Sequence, residues 1–184
     1  AEKLPNGETR YVHYQYNSLG HIILEKSTYT LSNGTVGTRQ RTNNYAANGI
    51  DLIREYDYDG TLVRSNQYNA YHQVTKSVEF PGNSVSYTTL YSYNDTTHQQ
   101  TGVTRPSGLV VTNIYNGSNR LIRTEEVQIF KTNLFEWAAS GLLSKHTNEL
   151  GLVKTYSHDN LARITNVAYS SGGNEAFLYK YLDL

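Results

Sequence analysis

The chain repeats itself with a short period. One ring residue per unit falls into register: Tyr16, Tyr45, Tyr68, Tyr93, Tyr115, Trp137, His158 and Tyr181. Successive gaps are 29, 23, 25, 22, 22, 21 and 23 residues. Self-similarity at a period of roughly 20–50 residues marks an array of stacked supersecondary units. The position after the anchor is Asn17, Asn69, Asn94, Asn116 or Asp159 in five of the eight units. Four residues past the anchor stand Gly20, Gly49 and Gly141, with Asn119 and Ala162 as substitutes. Six past it stand Ile22, Val74, Leu121, Leu143 and Ile164.

A second glycine signal precedes the anchors. Gly7, Gly34, Gly60, Gly82, Gly108, Gly151 and Gly173 lie 7 to 11 residues before theirs. Several belong to turn pairs such as Asn33-Gly34 and Asp59-Gly60, which supply the positive φ of tight hairpins. The Trp137 unit lacks this glycine, and Lys131-Thr132-Asn133 is read in its place.

Two turn signals per unit delimit two polar-apolar segments. A period of roughly 22 residues holds two strands of about six to eight residues and their turns. Strands joined by short turns must run antiparallel. Composition agrees, with 17 Tyr against 4 Phe and 1 Trp, and many Thr. Leu109 to Tyr115 shows no helical spacing. Glu125 to Ser140 fits least well; a short helical turn fits it, but the flanking register favours strand. Tyr14/Tyr16, Tyr56/Tyr58, Tyr91/Tyr93 and Tyr179/Tyr181 are each two apart, which predicts that each pair shares a sheet face and that the array carries an aromatic ladder. Leucine-rich repeats share the period but require LxxLxL, which is absent.

The unit Tyr-x-Tyr-Asp/Asn-x-x-Gly-x-Leu/Ile resembles the YD, or RHS, repeat. Tyr14 to Ile22, Tyr91 to Asn94, Tyr115 to Leu121 and Tyr156 to Ile164 carry the match. Ala46 and Ala138 depart from it at the Asp position. The resemblance implies an all-β fold: antiparallel β-hairpin repeats forming a curved, spiralling ribbon, with residues 1–184 a single array of about seven units. It implies a fragment of a longer shell-forming chain, as in insecticidal toxin complex B and C components, RHS polymorphic toxins and, more distantly, teneurins. The Ala1 start, the absence of Met and the final Tyr179 to Leu184, which opens a further repeat, favour a fragment. The expected function is a non-catalytic structural segment of a shell that encapsulates a toxin or other passenger polypeptide. The implied partners are the rest of its own shell, the enclosed toxin polypeptide and other toxin-complex subunits, at a secreted or cell-surface location. Such shells carry an Asp-Pro-x-Gly self-cleavage core. Pro5, Pro81 and Pro106 follow Leu4, Phe80 and Arg105, so no Asp-Pro occurs here.

Chemistry-bearing motifs are few. No Cys is present, which removes disulfides, thiol catalysis and Cys-based zinc sites. His13, His21, His72, His98, His146 and His158 show no HExxH or HxH spacing, and His158 replaces the repeat tyrosine. Asp57 and Asp59 could pair as carboxylates, but Asp59-Gly60 is already explained as a turn. No GxSxG elbow, phosphate loop or dinucleotide fingerprint appears. The sequence therefore predicts no catalytic, cofactor-binding or metal-binding residues, no cofactor and no enzyme. Sequons at Asn33, Asn94 and Asn116 are no more than chance provides. Lys+Arg and Asp+Glu are both 16, so Arg39, Arg41, Arg54, Arg64, Arg105, Arg120, Arg123 and Arg163 are offset by acids and no nucleic-acid partner is expected. No apolar run approaches the roughly 18 residues of a membrane span, so membrane insertion by this segment is not expected. The alternative is a carbohydrate-binding, cell-surface or adhesion module, since aromatic hairpin repeats also stack on glycans. An isolated segment would expose unpaired strand edges and associate.

Overall fold

The computed structural model describes residues 2–3, 9–30, 33–82 and 84–179. Gly7, Tyr181 and the last residues of the chain lie outside the described residues. A small antiparallel pair, β1 (Glu2–Lys3) and β2 (Thr9–Arg10), precedes the main sheet. Fifteen further strands then follow one another in space in chain order, forming one open antiparallel sheet. Turn chemistry accounts for this order, because connections of two to six residues leave each strand only its predecessor to pair with.

The chain divides into two compact units, Ala1–Tyr91 and Ser92–Leu184. The first contains β3 (Val12–Tyr16), β4 (Ile22–Thr30), β5 (Val36–Tyr45), β6 (Leu52–Tyr56), β7 (Leu62–Tyr68) and β8 (Val74–Gly82). Strand β9 (Val85–Tyr93) runs across the boundary, with Val85 to Tyr91 in the first unit and its last two residues in the second. The second contains β10 (Gln100–Thr104), β11 (Val110–Tyr115), β12 (Leu121–Glu126), β13 (Lys131–Trp137), β14 (Leu143–Thr147), β15 (Val153–His158), β16 (Ile164–Tyr169) and β17 (Asn174–Ala176). Its single 3₁₀ turn among the described residues spans Val127–Ile129.

The repeat anchors Tyr16, Tyr45, Tyr68, Tyr93, Tyr115, Trp137 and His158 are the last residues of the odd-numbered strands β3 to β15. The turns after them form one edge within each unit, here the anchor edge. The second glycine signal marks the opposite edge, as at Gly60, Gly108 and Gly151. The Trp137 unit corrects the sequence reading. Lys131 to Asn133 lie in β13, and the turn is made by Val127 to Phe130, with Phe130 in the left-handed region at φ 53°. A helical turn ending on a left-handed residue does the work of the missing glycine. Glu125 to Ser140 thus holds both the short helical turn and the strand.

One turn geometry recurs. In nine connections the amide of the first residue donates to the carbonyl four residues on, and the amide three residues on donates back, as for Asn17–His21 and Gly20–Asn17. The last turn residue is left-handed: Gly20 at φ 82°, Gly108 at φ 82°, Ala162 at φ 63°. This inserts a bulge, and the register shifts by one residue just before the anchor at Tyr16, Tyr45, Tyr68, Tyr115, Trp137 and His158.

Among the described residues no second layer covers the sheet within either unit. Among the described residues Val167 is the sole buried apolar side chain, at 7% exposure. Ser27, Asp51 and Glu55 are the buried polar ones. Hydrogen bonding and side-chain pairing across neighbouring strands therefore carry the stability that a core supplies elsewhere.

Candidate functional site: the two sheet faces and the turn edges

The residue after the anchor is a cap. Asn17 Oδ1 accepts from the amides of Leu19 and His21, both at 3.0 Å. Asn69, Asn116 and Asp159 repeat this with their own turn amides. Asn, Asp and few other side chains reach these positions without distorting the turn. Where Ala46 stands instead, the turn is one residue longer and Asn48 caps Ile50 and Asp51. Asp57 belongs to the same class: its Oδ1 accepts from Asp59 at 3.0 Å and Thr61 at 2.9 Å. The carboxylates of Asp57 and Asp59 are thus turn residues of the far edge.

The anchor rings have a second task. The β6–β7 rungs run through Arg54↔Ser65, and continuing that register puts Gln67 opposite Leu52, beyond the last rung. The residues flanking Gln67 reach over instead. Asn66 Nδ2 donates to the Leu52 carbonyl at 2.9 Å and Tyr68 Oη donates to it at 3.0 Å. The same pair recurs as Asn113 and Tyr115 on the Gln100 carbonyl, at 3.1 and 2.9 Å. Trp137 Nε1 donates to Leu121 at 2.8 Å, Asn43 Nδ2 to Ile22 at 3.0 Å and Tyr179 Oη to Ile164 at 2.9 Å. Tyrosine fits because its ring covers the sheet while its hydroxyl reaches a polar partner. Burial raises the Tyr68 pKa.

The predicted sharing of a face holds for Tyr91 and Tyr93, two apart within β9. Tyr14 and Tyr16 share a face, with ring centroids 6.3 Å apart. Tyr56 and Tyr58 do not. Tyr56 pairs with Thr42, whereas β6 ends at Tyr56 and Tyr58 lies in the turn, folding over the other face to donate to Glu25 at 2.7 Å. Strand alternation stops where the strand does.

That other face, the anchor face, carries in β4 to β8 a row of alternating charge. Glu25 pairs with Arg41, Asn43 with Glu55, Glu55 with Arg64 and Arg64 with Glu79 across successive strands. Glu55 is ion-paired to Arg41 and lies 3.6 Å from Arg64, which reaches Glu79 at 3.3 Å. Glu55 is only 7% exposed, so its charge stays in the sheet because cations flank it on both sides. Arg39 lies 4.7 Å above the Tyr58 ring. The hydrogen bond to Glu25, with burial, raises the Tyr58 pKa.

Side chains also tie successive turns of the anchor edge together. Asn17 Nδ2 and His21 Nδ1 reach the Gly49 carbonyl at 2.7 and 2.8 Å. His72 Nδ1 lies 3.0 Å from Asp51 Oδ2, which also accepts from Asn48 at 2.7 Å. Burial alone would raise the Asp51 pKa. The hydrogen bonds from His72 and Asn48, with the imidazole charge, outweigh it and leave the carboxyl below its ordinary value. In residues 92–184, Gln99 Nε2 donates to the Asn119 carbonyl at 2.6 Å and the Arg163 guanidinium lies 4.3 Å from the Tyr179 ring.

The histidines stand apart from one another. His13 is exposed in β3, His146 stacks on Phe135 at 4.9 Å, His98 is left-handed in its turn at φ 57° and His158 is half-buried in β15. Among the described residues no three His, Cys, Asp or Glu side chains converge as metal ligands. Sequence reasoning missed the Asp51–His72 pair and the burial of Glu55. Only the tally of acids and bases hinted at the latter.

No protein-family profile matches the sequence, and no curated protein does. Solved structures do match. The fold superimposes on a TcdB2–TccC3 chain crystallised without its hypervariable C-terminal region, with a TM-score of 0.66, 13% identity and 93% of this chain covered. A second TcdB2–TccC3 structure matches with a TM-score of 0.51, 11% identity and 88% of this chain covered. The chain spans 10% and 12% of the length of those two chains. At this identity the likeness concerns the fold, which is all-β, antiparallel and shared with part of the TcdB2–TccC3 chains.

Proposed function

We propose that residues 1–184 are a non-catalytic wall segment of an RHS-type shell that encloses a polypeptide passenger. The carrying observation is the sheet without a core. Hairpins in chain order are stapled along their edges and bury a single apolar side chain among the described residues, leaving Tyr, Leu and Ile side chains exposed among polar ones. A sheet one layer thick suits a partition between two spaces. The YD-type repeat and the likeness to TcdB2–TccC3 support the same reading. On it, the partners are the rest of the shell, the passenger and other toxin-complex subunits, and the location is extracellular.

Negative-stain electron microscopy of the natural polypeptide that carries this segment tests the proposal. The expected particle is closed and hollow. A solid body or a rod would overturn it, and glycan binding by the tyrosine-edged hairpins would then be measured next.

A further inference from the structure

Charge is segregated across the sheet in residues 11–91. The acids of β4 to β8, Glu25, Glu55 and Glu79, all lie on the anchor face with Arg41 and Arg64. The opposite face carries Lys26, Arg54 and Lys76. The register establishes this: Lys26 pairs with Gln40, Arg54 with Asn44 and Ser65, and Lys76 with Gln67. No Asp or Glu occupies a position of that face in β3 to β9. Among the described residues none of the three cations has a carboxylate partner, whereas Arg41 and Arg64 do. Lys26 and Arg54 are exposed and Lys76 is half-exposed. The same face in residues 92–184 differs, since there Arg123 pairs with Glu125 and Lys145 with Glu136.

The three cations form a line. Each is two strands from the next and each step moves toward the anchor edge, by four residues and then by two. From strand spacing and rise, the steps are about 17 and about 12 Å. Between them lie Gln40, Asn44 and Gln67, whose amides both donate and accept.

We propose that this face docks an acidic polypeptide segment lying diagonally across β4 to β8. Charge complementarity sets the sign of the partner. Spacing sets its class: in an extended peptide, carboxylates four residues apart are about 14 Å apart, comparable to the cation steps. A nucleic acid offers phosphates about every 6–7 Å and is met by clustered cations on a basic domain. Here the cations are sparse, amides fill the gaps, and the chain has no net charge. The inference is independent of the shell reading, although an enclosed passenger would be a natural source of such a segment.

The test uses the 184-residue chain and fluorescence anisotropy. The probes are labelled peptides of roughly 12 residues, Gly/Ser-rich, with Glu, Gln or Lys at every fourth position. An oligothymidylate of similar length is the nucleic-acid arm. Saturable binding of the Glu peptide alone is expected, weakening as salt rises from about 0.05 to about 0.3 M. Each of Lys26→Gln, Arg54→Gln and Lys76→Gln should weaken it about twofold, and the triple variant about tenfold. Lys145→Gln should leave it unchanged. Circular dichroism verifies that each variant folds, and the single variants carry the test if the triple one does not. Equal binding of Glu and Gln peptides, undiminished binding by the variants, or tighter binding of oligothymidylate would each overturn the proposal. A rod-shaped parent particle would remove the shell reading and leave this result standing.

Discussion

The Leu52 carbonyl gives the sharpest test of why the repeat uses Asn and Tyr two residues apart. It accepts from Asn66 Nδ2 and Tyr68 Oη, both part-buried. A typical hydrogen bond contributes about 0.5–1.5 kcal/mol net, while a buried carbonyl left without any partner costs about 1–3 kcal/mol. Tyr68→Phe keeps the ring and leaves Asn66 in place, so it should cost about 0.5 kcal/mol. Asn66→Ala leaves Tyr68 in place and should cost about the same. The double variant strips the carbonyl and should cost about 2 kcal/mol, a coupling of about 1 kcal/mol. Trp137→Phe makes the contrast, because the position two residues before it is Phe135, which has no donor, so the Leu121 carbonyl loses its Trp137 partner at once. Repeat arrays open locally, so native-state hydrogen exchange of the Leu52–Tyr68 amides is the assay. A coupling of about 1 kcal/mol means the double variant exchanges several-fold faster than the singles sum to. Strict additivity would refute the shared-acceptor argument.

Other consequences can be checked in the same chain. Asn116→Ala removes the acceptor of the Ser118 and Arg120 amides and should destabilise the β11–β12 hairpin by about 1–2 kcal/mol, read as faster exchange of those amides, while Asn116→Asp should be nearly silent. Equal losses in both variants would speak against capping. Ala162 occupies a left-handed position at φ 63°, so Ala162→Gly should stabilise its turn by about 0.5–1 kcal/mol in urea unfolding; a destabilised variant would show the methyl packs usefully. Asp51 has a depressed folded-state pKa, so its contribution is full above the ordinary value of 3.8 and is lost as pH falls through the lower folded value. Acid unfolding of Asp51→Asn should therefore lack that limb; parallel acid profiles for parent and variant would remove Asp51 from the account.

Most of the fold was legible because most of it is local. Turn residues such as Asn116 and Gly108 act within four or five positions, and alternation within β11 needs only its own sequence. The misreadings sit where locality fails. At Val127–Phe130 a 3₁₀ turn replaces Gly with a left-handed Phe, which leaves no glycine to see. At Tyr56 and Tyr58 the strand ends between two residues that look like one alternating pair. The site was less legible. Asp51 and His72 are 21 residues apart and meet only because consecutive anchor-edge turns lie side by side.

By itself, the sequence determined the strand order, the antiparallel pairing and most of the turns, the one at Val127–Phe130 excepted. Each follows from short-range sterics: positive φ at the turn ends, side-chain caps on turn amides, and loops too short for any crossover. Tertiary structure decided which side chains share a face across strands. Six of the anchor hairpins insert a bulge that shifts the register by one, and the product of successive registers cannot be read from any single unit. That accumulated register buries Glu55 between two arginines, aims Tyr68 at the Leu52 carbonyl and gathers Lys26, Arg54 and Lys76 on the face that holds no acid.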